Sequence, residues 1–300
     1  MKISKKQAAL LLLLATILWG SSYIFLKQAT ESGMHSGLIN ACRGTISGLF
    51  GYLLFHRQIN HMTPKDIKLG ALIGASEYLA YYLQTAGLRY TTPAKSSFIT
   101  ALYVIIAPLI LWLFWHERPL RKTYFAIALA IVGMAILTNI GQNSLHLQYG
   151  DLLTLIATVF WALEIIFFSR FSARFSSTWV VLFMVSFWQA TYGWLTVLVG
   201  ERSTLGQVHW TKALLPIIIL AIVITFLGQA MQITGQMHTD TVSASLILMM
   251  ESFFAAVLSV LLGYDAITPR LVVGGALLIL ASAIMQVDLK SLSLLWRRKR

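Results

Sequence analysis

The sequence predicts an all-α integral membrane protein, with ten transmembrane helices arranged as two inverted five-helix repeats around a central cavity. Three observations predict it. The 300 residues are 57% hydrophobic and only 11% charged, with a mean hydropathy of +0.73, whereas a soluble domain averages about a quarter charged. Ten apolar runs, each of about 20 residues and so long enough to span hydrocarbon, follow one another with short polar connections. Finally, the first half of the chain resembles the second.

The runs lie at about 8–28, 36–55, 69–88, 94–115 and 122–140, then at about 150–169, 178–199, 213–235, 242–263 and 269–287. The first follows three lysines, as a secretory signal does. It continues through Phe25 and Leu26 with no A-x-A-like site, so an uncleaved first span is expected. Thr63–Pro64, Thr92–Pro93 and Thr268–Pro269 mark turns between later runs. With the N-terminus inside, sixteen of the 23 Lys and Arg fall on the interior side and six on the other, with Arg43 inside the second span. Basic residues favour the cytoplasmic face, so both termini are expected there, in the cell membrane. The WRRKR tail suits anionic lipid headgroups.

The internal similarity has a register. ATILWGSSYIFLK (15–27) aligns with ATVFWALEIIFFS (157–169), setting Trp19 opposite Trp161. QTAGLRYTTPAKSSFI (84–99) aligns with QITGQMHTDTVSASLI (232–247), setting Gly87 opposite Gly235 and, further on, Glu117 opposite Asp265. The repeats are read as 1–143 and 144–300. Five spans per repeat is odd, so the second copy enters the bilayer upside down, a plan that places solute sites near the midplane where the halves meet.

The tokens LWGSSYIFLK, NACRGTISGLF and APLILWLFWHERPL in the first half, with LMMESFFAAVLSVLLGYDAIT and GGALLILASAIM in the second, resemble the drug/metabolite transporter superfamily in its EamA-type ten-helix form. The resemblance covers the whole chain. It departs where Ser252 follows Glu251 in place of proline, and where Gly263–Tyr264–Asp265 replaces a Gly-Glu pair. The resemblance implies a secondary transporter of small metabolites, often amino acids or amines, commonly directed outward.

Independently of family, a charge inside a span is costly and points to a cavity or a partner. Four such residues stand out. Glu77 shares a helical face with Gly70, Gly74, Tyr81 and Gln84, and reads either as a pocket-wall carboxylate or as a hydrogen-bond partner of a neighbouring helix. Glu251, alone in LMMESFFAAVL, reads as a proton-coupling carboxylate or as a neutral acid bonded to a neighbour. Glu164, beside Trp161 and Phe168, suits an organic cation, or else reaches the interface or Arg170. Arg43, in a stripe with Ser36, Asn40, Ser47 and Gly51, either binds a substrate carboxylate or closes an ion pair with Glu77 or another acid.

Uncharged stripes suggest a polar lumen or interhelical glue. They are Thr225, Gln229, Gln232 and Gln236 on span eight, Ser96, Thr100, Tyr103 and Ala107 on span four, and Thr16, Gly20, Tyr23 and Lys27 on span one. The expected substrate residues are therefore Glu77, Arg43, Tyr81, Gln84, Tyr103, Trp161, Gln229 and Gln232. The expected proton or cation residues are Glu251, Glu77 and Glu164. Pro108, Gly74, Gly87, Gly228 and Gly235 are candidates for bending or for close packing.

The chain holds no G-x-G-x-x-G, Walker A, H-E-x-x-H or G-x-S-x-G motif, so enzymatic function is not expected. The lone Cys42 excludes an internal disulfide. Met249 and Met250 lack the clustered His or Cys of a metal site, and neither metal nor cofactor is expected. A net charge of +12 is spread over short loops, which argues against nucleic acid. The expected partners are a small-molecule solute and membrane lipids, in a monomer or homodimer. The expected activity is secondary transport of a small polar metabolite, an amino acid or amine. It would be exported by alternating access, with protons as a coupling ion; efflux of hydrophobic organic cations is the alternative.

Overall fold

A computed structural model describes residues 3–118, 121–138, 148–239 and 241–286. The repeat boundary at 143/144, most of the connector 141–150 and the basic tail lie outside the described residues. Those residues form thirteen α-helices, with short 3₁₀ and π segments and no strand among them.

Local chemistry starts several of the helices. A reciprocal Ser4–Gln7 capping box opens α1 (Lys5–Glu31). Two backbone amides at the start of α2 (Ser36–Ile59), those of Gly37 and Leu38, donate to the Glu201 carboxylate at 2.9 and 3.0 Å. A Thr63–Asp66 box followed by Pro64 starts α3 (Pro64–Leu88), and Thr92 with Pro93 starts α4 (Pro93–Thr100). Then come α5 (Tyr103–Trp115), α6 (Arg121–Thr138) and α7 (Tyr149–Phe171). Beyond them run α8 (Thr178–Thr196), α9 (Trp210–Ile218), α10 (Gly228–Gln236), α11 (Thr241–Leu248), α12 (Met250–Leu261) and α13 (Pro269–Gln286).

Six continuous helical stretches are long and apolar enough to cross a bilayer: Lys6–Glu31, Ser36–Ile59, Pro93–Trp115, Tyr149–Arg174, Thr178–Gln207 and Trp210–Gln236. Shorter apolar helices accompany them at Tyr124–Gly133, Met250–Leu261 and Pro269–Ala281. The fourth, eighth and ninth apolar runs are interrupted, and the seventh ends in a π segment at Val197–Glu201. The fourth run breaks between α4 and α5 at Ala101–Leu102, and the ninth breaks between α11 and α12 at Met249. At both breaks the backbone shortens to three-residue bonds, Leu102 to Ile99 and Ser252 to Met249. The eighth run widens into a π-helix at Ile219–Leu227 between α9 and α10. There the Thr225 hydroxyl donates to the Leu220 carbonyl, five residues back, at 2.7 Å. Pro216, one turn earlier, has no N–H to hold a regular turn.

Contacts between the halves are exchanged reciprocally. In the first half α1 packs on α10 and α12; in the second, α7 packs on α3 and on α4 with α5. The α2 helix pairs with α8, and α6 with α13. The α2–α8 crossing is close because each helix puts a glycine against the other's backbone. A Cβ on Gly44 would stand 2.4 Å from the Ala190 nitrogen, and one on Gly193 would stand 2.4 Å from that of Ala41. We expect Gly193→Val to cost about 1–3 kcal/mol through forced separation of these helices. The check is the thermal unfolding midpoint in detergent, where an unchanged midpoint would contradict this packing.

The glycines considered for bending are also wedged against neighbours. A Cβ on Gly74 would lie 2.6 Å from the Trp188 side chain, on Gly228 2.7 Å from the Trp19 indole nitrogen, and on Gly235 2.7 Å from Leu12. A Cβ on Gly87 would lie 2.7 Å from the Gly150 carbonyl oxygen, and one on Gly150 2.5 Å from that of Gly87. These positions hold helices together at the shortest possible distance.

Candidate functional site

A small hollow lies between the halves. Its wall is made by Trp19 and Ser22 of α1, Tyr81 and Gln84 of α3, and Thr100 and Tyr103 at the α4–α5 break. Trp161, Glu164 and Ile165 of α7, with Glu251 at the start of α12, complete it. The volume is about 20 Å³, which is room for a group the size of one water. The breaks matter here. Ending α4 at Thr100 and α11 at Leu248 brings Tyr103 and Glu251 to the start of new helices, facing the same space.

Hydrogen bonds order the wall. The Gln84 amide donates to the Tyr23 hydroxyl at 3.1 Å and to the Thr100 hydroxyl at 2.9 Å, and Tyr23 in turn faces Glu251. The Tyr81 and Trp161 rings meet edge to face, 4.6 Å apart. The Tyr103 hydroxyl and the Trp161 indole N–H are buried with no hydrogen-bond partner among the described residues.

A second polar layer backs this wall. Arg43 is wholly buried; its Nε donates to the Thr225 hydroxyl at 3.0 Å, and its guanidinium lies 3.9 Å over the Tyr81 ring. The π-helix explains the first contact, because the Thr225 hydroxyl that donates to Leu220 can also accept from Arg43. Gln229 donates to Glu77, and Gln232 donates to Glu164 at 3.2 Å. Glu77 faces Arg43 within electrostatic reach. Both terminal nitrogens of Arg43 and the second Glu77 oxygen have no hydrogen-bond partner among the described residues.

Of the residues singled out in the sequence, Tyr81, Gln84, Tyr103, Trp161, Glu164 and Glu251 line the hollow. Glu77, Arg43, Gln229 and Gln232 do not; they form the buried layer behind it. The polar stripe around Arg43 is divided in purpose. Ser47 bonds Ser186 at 3.0 Å, and Asn40 accepts from Gln189 at 3.0 Å, tying α2 to α8. Arg170, considered as a partner of Glu164, pairs with Glu117 instead and lies over the Trp115 ring. Ser22 and Ile165 were not singled out. The register that sets Trp19 opposite Trp161 also sets Ser22 opposite Glu164, so the signal for Ser22 was present.

Ion pairs and hydrogen bonds lie toward both ends of α7. Toward the start of α7, Lys95 and the buried Asp151 pair at 2.6 Å, and Thr91 donates to the same carboxylate at 3.0 Å. Asp265 accepts from the Ala94 amide at 3.2 Å nearby. Toward the opposite end of α7 stands the Arg170–Glu117 pair.

A polytopic, all-helical membrane protein with a polar hollow between two interlocked halves is the class that this fold and site define. Within that class the chain belongs to the EamA-like transporter family, whose profile matches twice, over residues 6–139 and 148–287. An uncharacterized transporter of Archaeoglobus fulgidus is 31% identical over 287 residues, covering 95% of this chain and 87% of the relative. The uncharacterized transporter YvbV of Bacillus subtilis is 24% identical over 297 residues, covering 97% and 94%. A protein crystal structure superposes with a TM-score of 0.72 at 19% identity, covering 96% of this chain and 99% of that one, which shows the shared fold.

Proposed function

We propose that this chain is a secondary transporter that exports a small polar metabolite with an ammonium group, an amino acid or an amine. It does so by alternating access between two inverted five-helix repeats, coupled to protons. Counting α4 with α5, α9 with α10, and α11 with α12 as single interrupted spans gives ten. The matched breaks support the repeat: α4 and α11 are both eight residues long, and the alignment that pairs Gln84 with Gln232 pairs Thr100 with Leu248.

The observation that carries the proposal is the composition of the hollow. Three pairs of repeat-related positions line it: Trp19 with Trp161, Ser22 with Glu164, and Tyr103 with Glu251. A site to which both copies contribute matched positions is one that rocking of one copy against the other can expose to either side. The hollow is small in this conformation, about 20 Å³. Parting the Lys95–Asp151 pair would open one end, and parting Arg170–Glu117 the other.

Purified protein in liposomes, tested with radiolabelled amino acids and amines under an imposed proton gradient, is expected to show saturable flux above protein-free vesicles. Tags on both termini are expected to react only with reagents inside cells. Absence of saturable flux across the panel would remove the transport reading, and labelling of either terminus from outside would remove the orientation.

A further inference from the structure

We propose that the hollow selects small organic cations, ammonium ions without a carboxylate, over zwitterions and anions. The inference rests on the transport reading above and narrows its substrate class.

The first ground is the charge of the wall. Glu164 and Glu251 both line the hollow, and among the described residues no Lys, Arg or His does. Among the described residues, the buried ionisable side chains around it are Glu77, Glu164 and Arg43, with Glu251 half-buried and the hydroxyls of Tyr23, Tyr81 and Tyr103 nearby. Arg43 offsets one carboxylate. The other two need a proton or a cation, since an uncompensated buried charge is costly.

The second ground is where Arg43 stands. A zwitterion would need the guanidinium for its carboxylate. Here its Nε is held by Thr225, its face lies on Tyr81, and its unpartnered terminal nitrogens have no exposed surface. The Tyr81 ring lies against the guanidinium and lines the hollow, whereas Arg43 itself does not line it. Recruiting Arg43 would also take the compensating charge from Glu77.

The third ground is the aromatic lining. Trp19, Trp161, Tyr81 and Tyr103 surround the space, and aromatic faces attract a desolvated cation. The unpartnered Tyr103 hydroxyl provides an acceptor for an N–H, while the Trp161 N–H suits a water or a hydroxyl on the solute. A volume of about 20 Å³ admits an ammonium head. The rest of the solute enters only as the halves part.

Two matched series test this: isobutylamine, valine and isovalerate, then phenylethylamine, phenylalanine and 3-phenylpropionate. Within each series the molecules differ only in which charged group they carry. Binding is read in detergent by the fluorescence of Trp19 and Trp161, with the other tryptophans replaced by phenylalanine if their signal interferes. Flux is read in liposomes.

We expect the amines to bind at least tenfold more tightly than the matched amino acids and acids. Glu164→Gln and Glu251→Gln should each weaken amine binding at least tenfold. If one variant fails to fold, the other variant and the amine-to-amino-acid ratio of the parent protein decide. Tighter binding of the amino acids, with flux, overturns the inference and leaves the transporter intact. Amine binding without flux upholds the site and overturns transport. Binding of none of the six compounds overturns the inference.

Discussion

Replacing Arg43 by methionine, which keeps most of the volume and removes the charge, is expected to destabilise the folded protein by about 3–5 kcal/mol. The reason is the group left behind. Arg43 is fully buried, and Glu77, also fully buried, faces it with one oxygen held by Gln229 and the other unpartnered. Without the guanidinium, Glu77 becomes a carboxylate in a low-dielectric interior with one amide as its only partner. Thr225 and the Tyr81 face lose their contacts as well.

Adding Glu77→Gln to Arg43→Met should recover much of the loss, because the second change removes the uncompensated charge. Thermal unfolding in detergent of the parent, both single variants and the double variant gives the coupling between the two sites. Additive losses would show that the two residues act separately, and a stable Arg43→Met would show that the buried layer is not held by charge.

The second large effect is on coupling. Glu251→Gln keeps the shape of the side chain and its ability to bond Tyr23, but it can neither take up nor release a proton at the hollow. We expect gradient-driven flux to fall at least tenfold, and the flux that remains at high substrate concentration to be indifferent to the imposed pH difference. Glu251→Asp, which restores a carboxylate one methylene shorter, should recover part of the pH response. A glutamine variant that still follows the gradient would transfer the coupling role to Glu164, the other carboxylate in the wall. The corresponding change at Glu164 would then show the loss.

These two predictions treat the three intramembrane acids differently, and the sequence offered no basis for doing so. It marked Glu77, Glu164 and Glu251 alike, as carboxylates in apolar runs. In the structure Glu164 and Glu251 face the hollow, whereas Glu77 belongs to the layer around Arg43. Likewise Ser47 and Asn40 shared a stripe with Arg43 but are taken up by α8, and Gln232 shared one with Gln229 but serves a different carboxylate.

The sequence by itself determined that the chain is a helical membrane protein made of two related halves, and it identified most of the polar positions kept from lipid. Those properties are local or periodic: twenty apolar residues span a bilayer whatever surrounds them, and a repeat shows in its own register. Only the tertiary structure decided where the helices at 101–102 and 249 break, where Thr225 widens a helix to meet Arg43, and which acids see open space. The reason is that a polar stripe records only avoidance of lipid. A neighbouring helix and a hollow meet that requirement equally well, and the choice between them is made by helices far apart in the chain.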